Sequence, residues 1–310
     1  GDVTSLTHPV GGLEQKGVML LSPSSSPAAL TSAFVARGAV KSFAARTEFG
    51  KAFRYMGLTS FPTIDISNGV NCYAAFEAYD GTTFPPLNFA SATNLSSAWY
   101  GSTSLTSVSA IQAPVCTDFI SAWQGDTALA TIDPNANFGE SATNVNFTNA
   151  FRSTALTALP AGLDMSQGSS FTNTFFVCSS LTTIGTGVLL GTASSGVAFN
   201  SAFQSCTTLE ELPANLDLSQ GGNFNSAFNG CSSLSTIGTG VLLGTANATA
   251  TVDFTQTFRG CTNLVTLPAN LNLSKGDDFQ YVFRDCSSLV TFPAGAFDTM
   301  GTPLDYCFLD

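Results

Sequence analysis

One aromatic motif recurs at a shared register through most of this chain and constrains its fold more than any other feature. In its clearest copy, from Phe224 to Ile237, a small residue, an aromatic anchor, a cysteine and a leucine follow the first phenylalanine at fixed spacing. A unit this short cannot bury an apolar face alone, so the copies must stack on one another. The ten anchors, spaced by 23 to 30 residues, are Phe53, Phe76, Trp99, Trp123, Phe151, Phe175, Phe203, Phe228, Phe258 and Phe283.

The spacing inside one repeat predicts its local structure. Phe224 and Phe228 lie four residues apart, the separation of two residues on one helical face, and Ala227 beside them allows close approach. This segment is therefore predicted to form a short helical turn. The triplet that starts at Leu216 alternates apolar, polar and apolar residues, as a strand with one buried face does. Each repeat is predicted to contribute one short strand and one short helical turn.

Long and short repeats alternate from Trp123 onward. The long repeats carry Ile-Gly-Thr-Gly-Val-Leu-Leu-Gly-Thr-Ala at 184–193 and again at 237–246. The short repeats carry Leu-Pro-Ala-Asn-Leu, beginning at Leu212 and at Leu267. Such near-identity at a spacing of two repeats indicates that a two-coil block was duplicated.

The Phe-Cys-Leu core of the later copies resembles the BspA-like leucine-rich repeats of bacterial surface proteins and of some phage structural proteins. Its residues include Phe203, Cys206 and Leu209, and the three copies that follow have the same spacing. The resemblance covers roughly residues 46–300 and implies a repeat solenoid, a leucine-rich-repeat-like right-handed coil of 23–30-residue units. It implies little about function. In the first five copies other residues replace the cysteine, namely Met56, Tyr79, Ser102, Asp126 and Thr154.

Three segments follow from the register of the repeats. Residues 1–45 do not fit the motif and are predicted to be an N-terminal cap or attachment segment, because the first coil of a solenoid needs a cover. Residues 46–303 form the ten-coil solenoid. Residues 304–310 match the start of an eleventh, incomplete repeat, since Phe308 follows Phe283 by 25 residues. The C-terminal face is therefore expected to be covered by another chain or by further repeats.

A column of polar residues is the candidate ligand-facing site. These residues share the central position of the predicted strand, which lies on its exposed face. Adjacent strands lie about 4.8 Å apart, so the side chains should form a row along the solenoid, with Asp164 and Asp217 two coils apart. No pair of carboxylates converges as glycoside hydrolysis requires. The column is Asp65, Asn88, Gln112, Asp164, Asp217 and Asn272.

Five of the eight cysteines occupy one slot of the motif, three residues after the anchor. Stacking should bring them into a buried ladder of reduced thiols that behave as small apolar side chains. Their odd number argues against complete pairing as disulfides. Metal binding is not expected, because the chain has no C-x-x-C and its only histidine, His8, lies outside the repeats. The ladder consists of Cys178, Cys206, Cys231, Cys261 and Cys286.

Charge is sparse and negative. Only 10% of the residues are charged and the formal net charge is −11, which argues against nucleic acid or an anionic membrane as partner. No apolar run approaches the roughly 20 residues of a membrane-spanning helix, so membrane insertion is not expected. The repeats contain no histidine that could activate a serine nucleophile, and the sequence has no cofactor-binding motif.

A rigid, polar and weakly charged surface favours a non-enzymatic protein that binds a surface glycan or a protein receptor. We expect an adhesion protein at the extracellular surface or in a virion, as a fibre-like or surface component of a phage or a bacterial cell. Two alternatives remain open. One is a purely structural subunit of a virion or extracellular filament, in contact with other subunits of its assembly. The other is a polysaccharide-degrading solenoid enzyme.

Overall fold

The computed structural model describes residues 46–246, 251–292 and 307, and these residues form a solenoid of parallel strands. The predicted N-terminal segment, residues 1–45, lies outside the described residues. So does most of the predicted eleventh repeat, of which only Cys307 is described.

The strands are short, two or three residues each, and the described residues contain no helix. In chain order they are β1 Ser107–Val108, β2 Thr131–Ile132, β3 Val145–Asn146, β4 Ala158–Leu159, β5 Asp164–Met165, β6 Gly168–Ser170, β7 Thr183–Ile184, β8 Leu189–Leu190, β9 Val197–Ala198, β10 Glu211–Leu212, β11 Asp217–Leu218, β12 Gly221–Asn223, β13 Thr236–Ile237, β14 Leu242–Leu243, β15 Val252–Asp253 and β16 Gly276–Asp278.

One parallel ladder runs along the described solenoid. The strands β3, β6, β9, β12, β15 and β16 pair in that order as a six-stranded sheet. Isolated parallel bridges continue it toward the N-terminus, from Asn146 through Asp118, Asn94 and Asn71 to Glu48. The ladder passes through all ten repeats, five residues before each anchor. The repeat register predicted from the sequence is therefore the stacking register of the fold.

The remaining strands form two flanks made of two-stranded sheets. On the first flank β1 pairs with β2, β4 with β7 and β10 with β13, while on the second β5 pairs with β8 and β11 with β14. The strand predicted at Leu216–Leu218 corresponds to β11. A repeat such as the one between Phe151 and Phe175 contributes three short strands, β4, β5 and β6, rather than the single one predicted.

The predicted helical turn is replaced by a run of turns. Residues two before and two after each anchor adopt positive φ, for example Ser226 at 57° and Gly230 at 75° on either side of Phe228. A left-handed residue at every fourth position prevents a continuous right-handed helix. The Phe228 N–H donates to the Thr257 carbonyl of the next repeat at 2.8 Å, whereas the Ala227 N–H donates within its own turn to Phe224 at 2.9 Å. We call this segment, from four residues before to three after each anchor, the turn ribbon.

The core is built from stacked aromatic rings. The ten anchors form one continuous stack, in which neighbouring ring centroids are 4.9–5.7 Å apart. It includes the two tryptophans, Trp99 and Trp123, whose rings lie 5.1 Å apart and 4° from parallel. A second stack runs beside it from Phe119 to Phe279, with centroids 5.2–5.6 Å apart. Burying each such ring contributes about 1.5–3 kcal/mol to folding.

The first glycine of the Ile-Gly-Thr-Gly segment lets the long repeats pack closely on the short ones. Gly238 of a long repeat donates its N–H to Leu212 of the short repeat before it at 2.8 Å. A Cβ at Gly238 would lie only 2.5 Å from the Ala214 nitrogen, so the two backbones pack too closely for any side chain. Gly185 packs against Ala161 in the same way. The prolines of the short repeats lack an N–H and cannot extend this ladder to the repeat before them.

Candidate functional site

The predicted strand column lies on the surface, but it is not a continuous polar row. Parallel bridges join Asn88 to Gln112 and Gln112 to Asn137, a member that the sequence analysis missed. In the two later long repeats the equivalent positions hold apolar residues. Asp164 pairs with Leu189 and Asp217 pairs with Leu242, and both leucines are exposed. The leucines interrupt the column, and Leu189 separates Asp164 from Asp217.

Most side chains of this column shape their own backbone. The Oδ1 atom of Asp217 accepts the N–H of Ser219 at 2.9 Å, and that of Asp164 accepts the N–H of Ser166 at 2.8 Å. The same bond to the residue two positions later occurs at Asp65, Asn88 and Asn272. Such local bonds are typical of Asx turns. One side-chain oxygen of each of these five residues therefore bonds the local backbone.

A second Asx column, which the sequence analysis did not identify, follows the continuous ladder. Its side chains accept the N–H two residues later at 2.8–3.1 Å and so start the turn ribbon. The signal is visible in the sequence five residues before seven of the ten anchors, a slot that the aromatic motif does not include. Its members are Asn71, Asn94, Asp118, Asn146, Asn223, Asp253 and Asp278.

The five cysteines of the ladder lie in the core as free thiols. Each Sγ donates to the carbonyl of the anchor one repeat earlier, as Cys231 does to Phe203 at 3.1 Å. Burial raises the pKa of Cys178 to about 11 and that of Cys286 to about 12. It also raises the pKa of Cys206, Cys231 and Cys261 well above the usual value. Neutral, buried thiols are poor nucleophiles and poor metal ligands.

These thiols are expected to react only after unfolding. In the native protein at pH 8, iodoacetamide should leave the five ladder cysteines unmodified, because they are buried and protonated. In denaturant without reductant all five should be alkylated, and intact-mass analysis counts the adducts. Because Cys72, Cys116 and Cys307 should also be alkylated in denaturant, a column oxidised to two disulfides would give four adducts instead of eight.

Asp126 stands in the cysteine slot of the fourth repeat and is fully buried. Its Oδ1 accepts the N–H of Ser102 at 2.7 Å, while its Oδ2 has no hydrogen-bond partner. It forms no salt bridge within the described part of the chain. Burial raises the pKa of this carboxyl well above its usual range, against the opposing effect of the Ser102 and Gly101 amides. The carboxyl group destabilises the core when it is ionised.

The outward surface of the turn ribbon differs in chemistry from the strand flanks. Five of the seven lysines and arginines among the described residues lie on it, together with the partly exposed Asp285 and the buried Glu77, which pairs with Arg54. The rest of the described chain carries Arg46 and Lys275 against thirteen carboxylates. The turn ribbon is therefore the least acidic face of a strongly acidic molecule. Its cations are Lys51, Arg54, Arg152, Arg259 and Arg284.

One slot of the ribbon, directly after the anchor, holds a long side chain with a planar end group in every repeat. We call it the planar column. Its neighbours interact along the solenoid: Arg54 donates to Glu77 at 2.8 Å, and the Arg152 guanidinium lies 4.8 Å from the centre of the Phe176 ring. The column is Arg54, Glu77, Tyr100, Gln124, Arg152, Phe176, Gln204, Asn229, Arg259 and Arg284. The sequence analysis missed it, although its composition is visible once the repeats are aligned.

Among the described residues there is no group of three or more His, Cys, Asp or Glu side chains arranged to hold a metal ion. Within the same residues no helix is long and apolar enough to span a membrane. The arrangement offers a ladder of half-buried planar groups that is suited to surface contacts.

Three chains among the solved structures are similar to this one. A crystal structure described as a leucine-rich repeat protein from Bacteroides ovatus ATCC 8483 superposes with a TM-score of 0.31 and 16% identity, covering 79% of this chain and 76% of that one. No family model and no curated protein matches the sequence. The repeat register and the parallel ladders show the solenoid fold of this chain.

Proposed function

We propose that this chain is a non-enzymatic binding or adhesion protein whose contact surface is the turn ribbon. The planar column is the observation that carries the proposal. Tyrosine, phenylalanine and arginine are enriched where proteins contact partners, and lysine, aspartate and glutamate are depleted. Six of the ten planar-column residues are arginine, tyrosine or phenylalanine, and thirteen of the sixteen carboxylates among the described residues lie outside the turn ribbon.

The setting of this function is the extracellular surface of a bacterial cell or the surface of a phage virion. The support is the Phe-Cys-Leu core of the repeats, which resembles BspA-like leucine-rich repeats. The solenoid suits the role because each coil contacts only its neighbours and leaves a long, rigid face available. The partner is a surface glycan or a protein receptor, held by many modest contacts along that face.

A cell-binding assay with matched variants tests the proposal. Fluorescently labelled protein is offered to a panel of bacterial and animal cells, and binding is measured by flow cytometry. The variant Arg152→Ala/Phe176→Ala removes a contact pair of the planar column, and we expect about tenfold weaker binding, as for a moderate hot spot. The control, Asp164→Asn/Asp217→Asn, changes the strand column and should bind like the unmodified protein. Equal loss in both variants, or no binding to any cell, would contradict the proposal.

Catalysis is tested separately. The protein should release no new reducing ends from a panel of bacterial and algal polysaccharides, because Leu189 separates Asp164 from Asp217 and their Oδ1 atoms bond the backbone. Cleavage that is abolished by Asp164→Ala, Asp217→Ala, Glu210→Ala or Glu211→Ala would establish the polysaccharide-degrading alternative instead.

A further inference from the structure

The contact between the repeats anchored by Trp99 and Trp123, here called the third–fourth junction, contains two fully buried side chains with an unpartnered polar atom. These atoms are Oδ2 of Asp126, a residue that is 0% exposed, and Nε1 of Trp99, a residue that is 1% exposed. The other buried side-chain atoms without a hydrogen-bond partner in the described chain belong to partly exposed residues, Arg54, Asn149 and Arg284. Unsatisfied polar groups of the deep core are therefore concentrated at one junction.

The packing beside the two tryptophans is incomplete as well. A cleft borders both rings and is lined mainly by apolar side chains, among them Phe84, Leu105 and Ile111. This cleft is too narrow to admit a water molecule. A gap of that size deprives the side chains around it of part of their dispersion contacts. The third–fourth junction thus combines a packing gap with two polar groups that would gain hydrogen bonds in water.

Asp126 links the two repeats through a bond that differs from the bond at later junctions. Its Oδ1 accepts the N–H of Ser102 in the preceding repeat at 2.7 Å. Later repeats hold a cysteine in this slot, and its Sγ donates to the preceding anchor carbonyl, as Cys231 does to Phe203 at 3.1 Å. A thiol is neutral in this environment, whereas a carboxyl becomes charged when it loses its proton. The closed junction therefore favours the protonated form of Asp126.

No neighbouring charge compensates an ionised Asp126. The salt bridges of the described chain do not include this residue. Arg152 is the one cation in the third to fifth repeats, and its guanidinium lies over the Phe176 ring on the turn ribbon. The remaining ionisable groups are neutral or acidic, so none of them stabilises a carboxylate at this position. Besides Asp126 and Arg152, the ionisable side chains of residues 95–170 are Tyr100, Cys116, Asp118, Asp133, Glu140 and Asp164.

We propose that the third–fourth junction is a pH-operated hinge that is closed while Asp126 is protonated and opens locally when this carboxyl ionises. Opening admits water to the carboxylate and to the Trp99 N–H, so both groups gain hydrogen bonds. Each repeat contacts only its neighbours, and the coils on either side of the junction therefore remain folded. The planar column is interrupted between Tyr100 and Gln124, which divides the outward face of the solenoid. This inference goes beyond the binding function and does not depend on it.

Proton linkage gives the direction and the steepness of the opening. In the closed junction burial raises the pKa of Asp126 well above its usual value, against the opposing effect of the Ser102 and Gly101 amides. In the open junction the carboxyl is hydrated and has a pKa of about 3.9. Between these two pKa values opening releases one proton, so the opening equilibrium constant rises about tenfold per pH unit. The hinge is therefore closed in acid and opens as the pH rises.

Hydrogen exchange of the full chain between pH 4 and pH 8, measured by mass spectrometry, tests the hinge. The amides of Ser97, Trp99 and Gly101 donate across the junction to carbonyls of the fourth repeat at 2.8–3.0 Å. After correction for intrinsic exchange, their protection should fall about tenfold per pH unit from pH 4 to the pKa of the closed junction. The amides of Ser201 and Ser205 make the same bonds between the seventh and eighth repeats and should keep their protection.

Two asparagine variants separate the hinge from a general effect of charge. Asp126→Asn cannot ionise, so the junction amides should keep constant protection over the whole pH range. Asp133→Asn is the matched control, because Asp133 lies in the same repeat, is partly exposed and accepts the N–H of Asn135 at 2.9 Å. Its junction should respond to pH like that of the unmodified protein. Constant protection in the unmodified protein, an equal loss at both junctions, or a pH response that persists in Asp126→Asn would overturn the proposal.

Discussion

Phe228→Ala should lower the free energy of unfolding by about 3–5 kcal/mol, the range for removing a buried phenylalanine from a packed core. Phe228 is fully buried, and its ring stacks between Phe203 and Phe258, with centroids 5.4 Å from each. The adjacent repeats cannot close the gap without breaking the ladder. The loss is measured by chemical denaturation.

The damage should stay near the substituted coil. Each repeat contacts only its neighbours, so hydrogen exchange should accelerate mainly between residues 203 and 258. Phe176→Ala is the matched control, because Phe176 is a half-buried residue of the planar column, outside the stacks, and should cost less than about 1 kcal/mol. A uniform loss of protection along the chain would contradict a nearest-neighbour solenoid.

Asp126→Asn should stabilise the protein at neutral pH by about 1–3 kcal/mol, the energy of leaving a buried polar group without a partner. The asparagine keeps an oxygen for the Ser102 N–H, and its amide places a donor where Oδ2 has no partner. The cysteines of this slot donate to the anchor carbonyl of the preceding repeat, which for residue 126 is that of Trp99. Asp126→Cys should stabilise for the same reason.

The raised pKa of Asp126 determines how the stabilisation by Asp126→Asn changes with pH. Burial raises the pKa of Asp126 in the folded protein above its unfolded value of about 3.9, so the folded state holds the proton to higher pH. The contribution of Asp126 to the free energy of unfolding is largest below the pKa of the unfolded state. It is lost as the pH rises toward and through the pKa of the folded state. The advantage of Asp126→Asn should therefore shrink as the pH is lowered to about 4.

Asp253→Asn is the control for this pH series. Asp253 accepts the N–H of Thr255 in the second Asx column, where asparagine stands in four other repeats, so little change is expected. Denaturation curves between pH 4 and pH 8 provide the comparison. An advantage of Asp126→Asn that is independent of pH would contradict the proposed ionisation.

The stacking register could be predicted from the sequence because the residues that stack are buried and apolar, and apolar residues at a fixed spacing are visible in the sequence. The spacing of Phe203, Phe228 and Phe258 identified residues that do stack, and the strand at Asp217–Leu218 was found from its alternation. The predicted helical turn was not found among the described residues, since a spacing of four residues also fits successive turns. The deciding feature, positive φ at Ser226, belongs to a residue type that gives no strong left-handed signal.

The contact surface was harder to predict than the core. The motif was defined by what is constant, and the planar column varies among arginine, tyrosine, glutamine and phenylalanine. The predicted strand column was chosen for its polar side chains, and most of these stabilise local turns. Neither the local bond of Asp217 to Ser219 nor the position of Leu242 beside Asp217 follows from residue type alone.

The stacked tryptophans make the fluorescence of this protein a local probe. The chain has two tryptophans, and both lie in one stack at the junction of the third and fourth repeats. Their emission therefore reports on the opening of that junction, whereas far-ultraviolet circular dichroism averages over every coil. If distant coils unfold independently, the two signals will give different transitions. The tenth repeat can then unravel while the fluorescence remains that of the native protein.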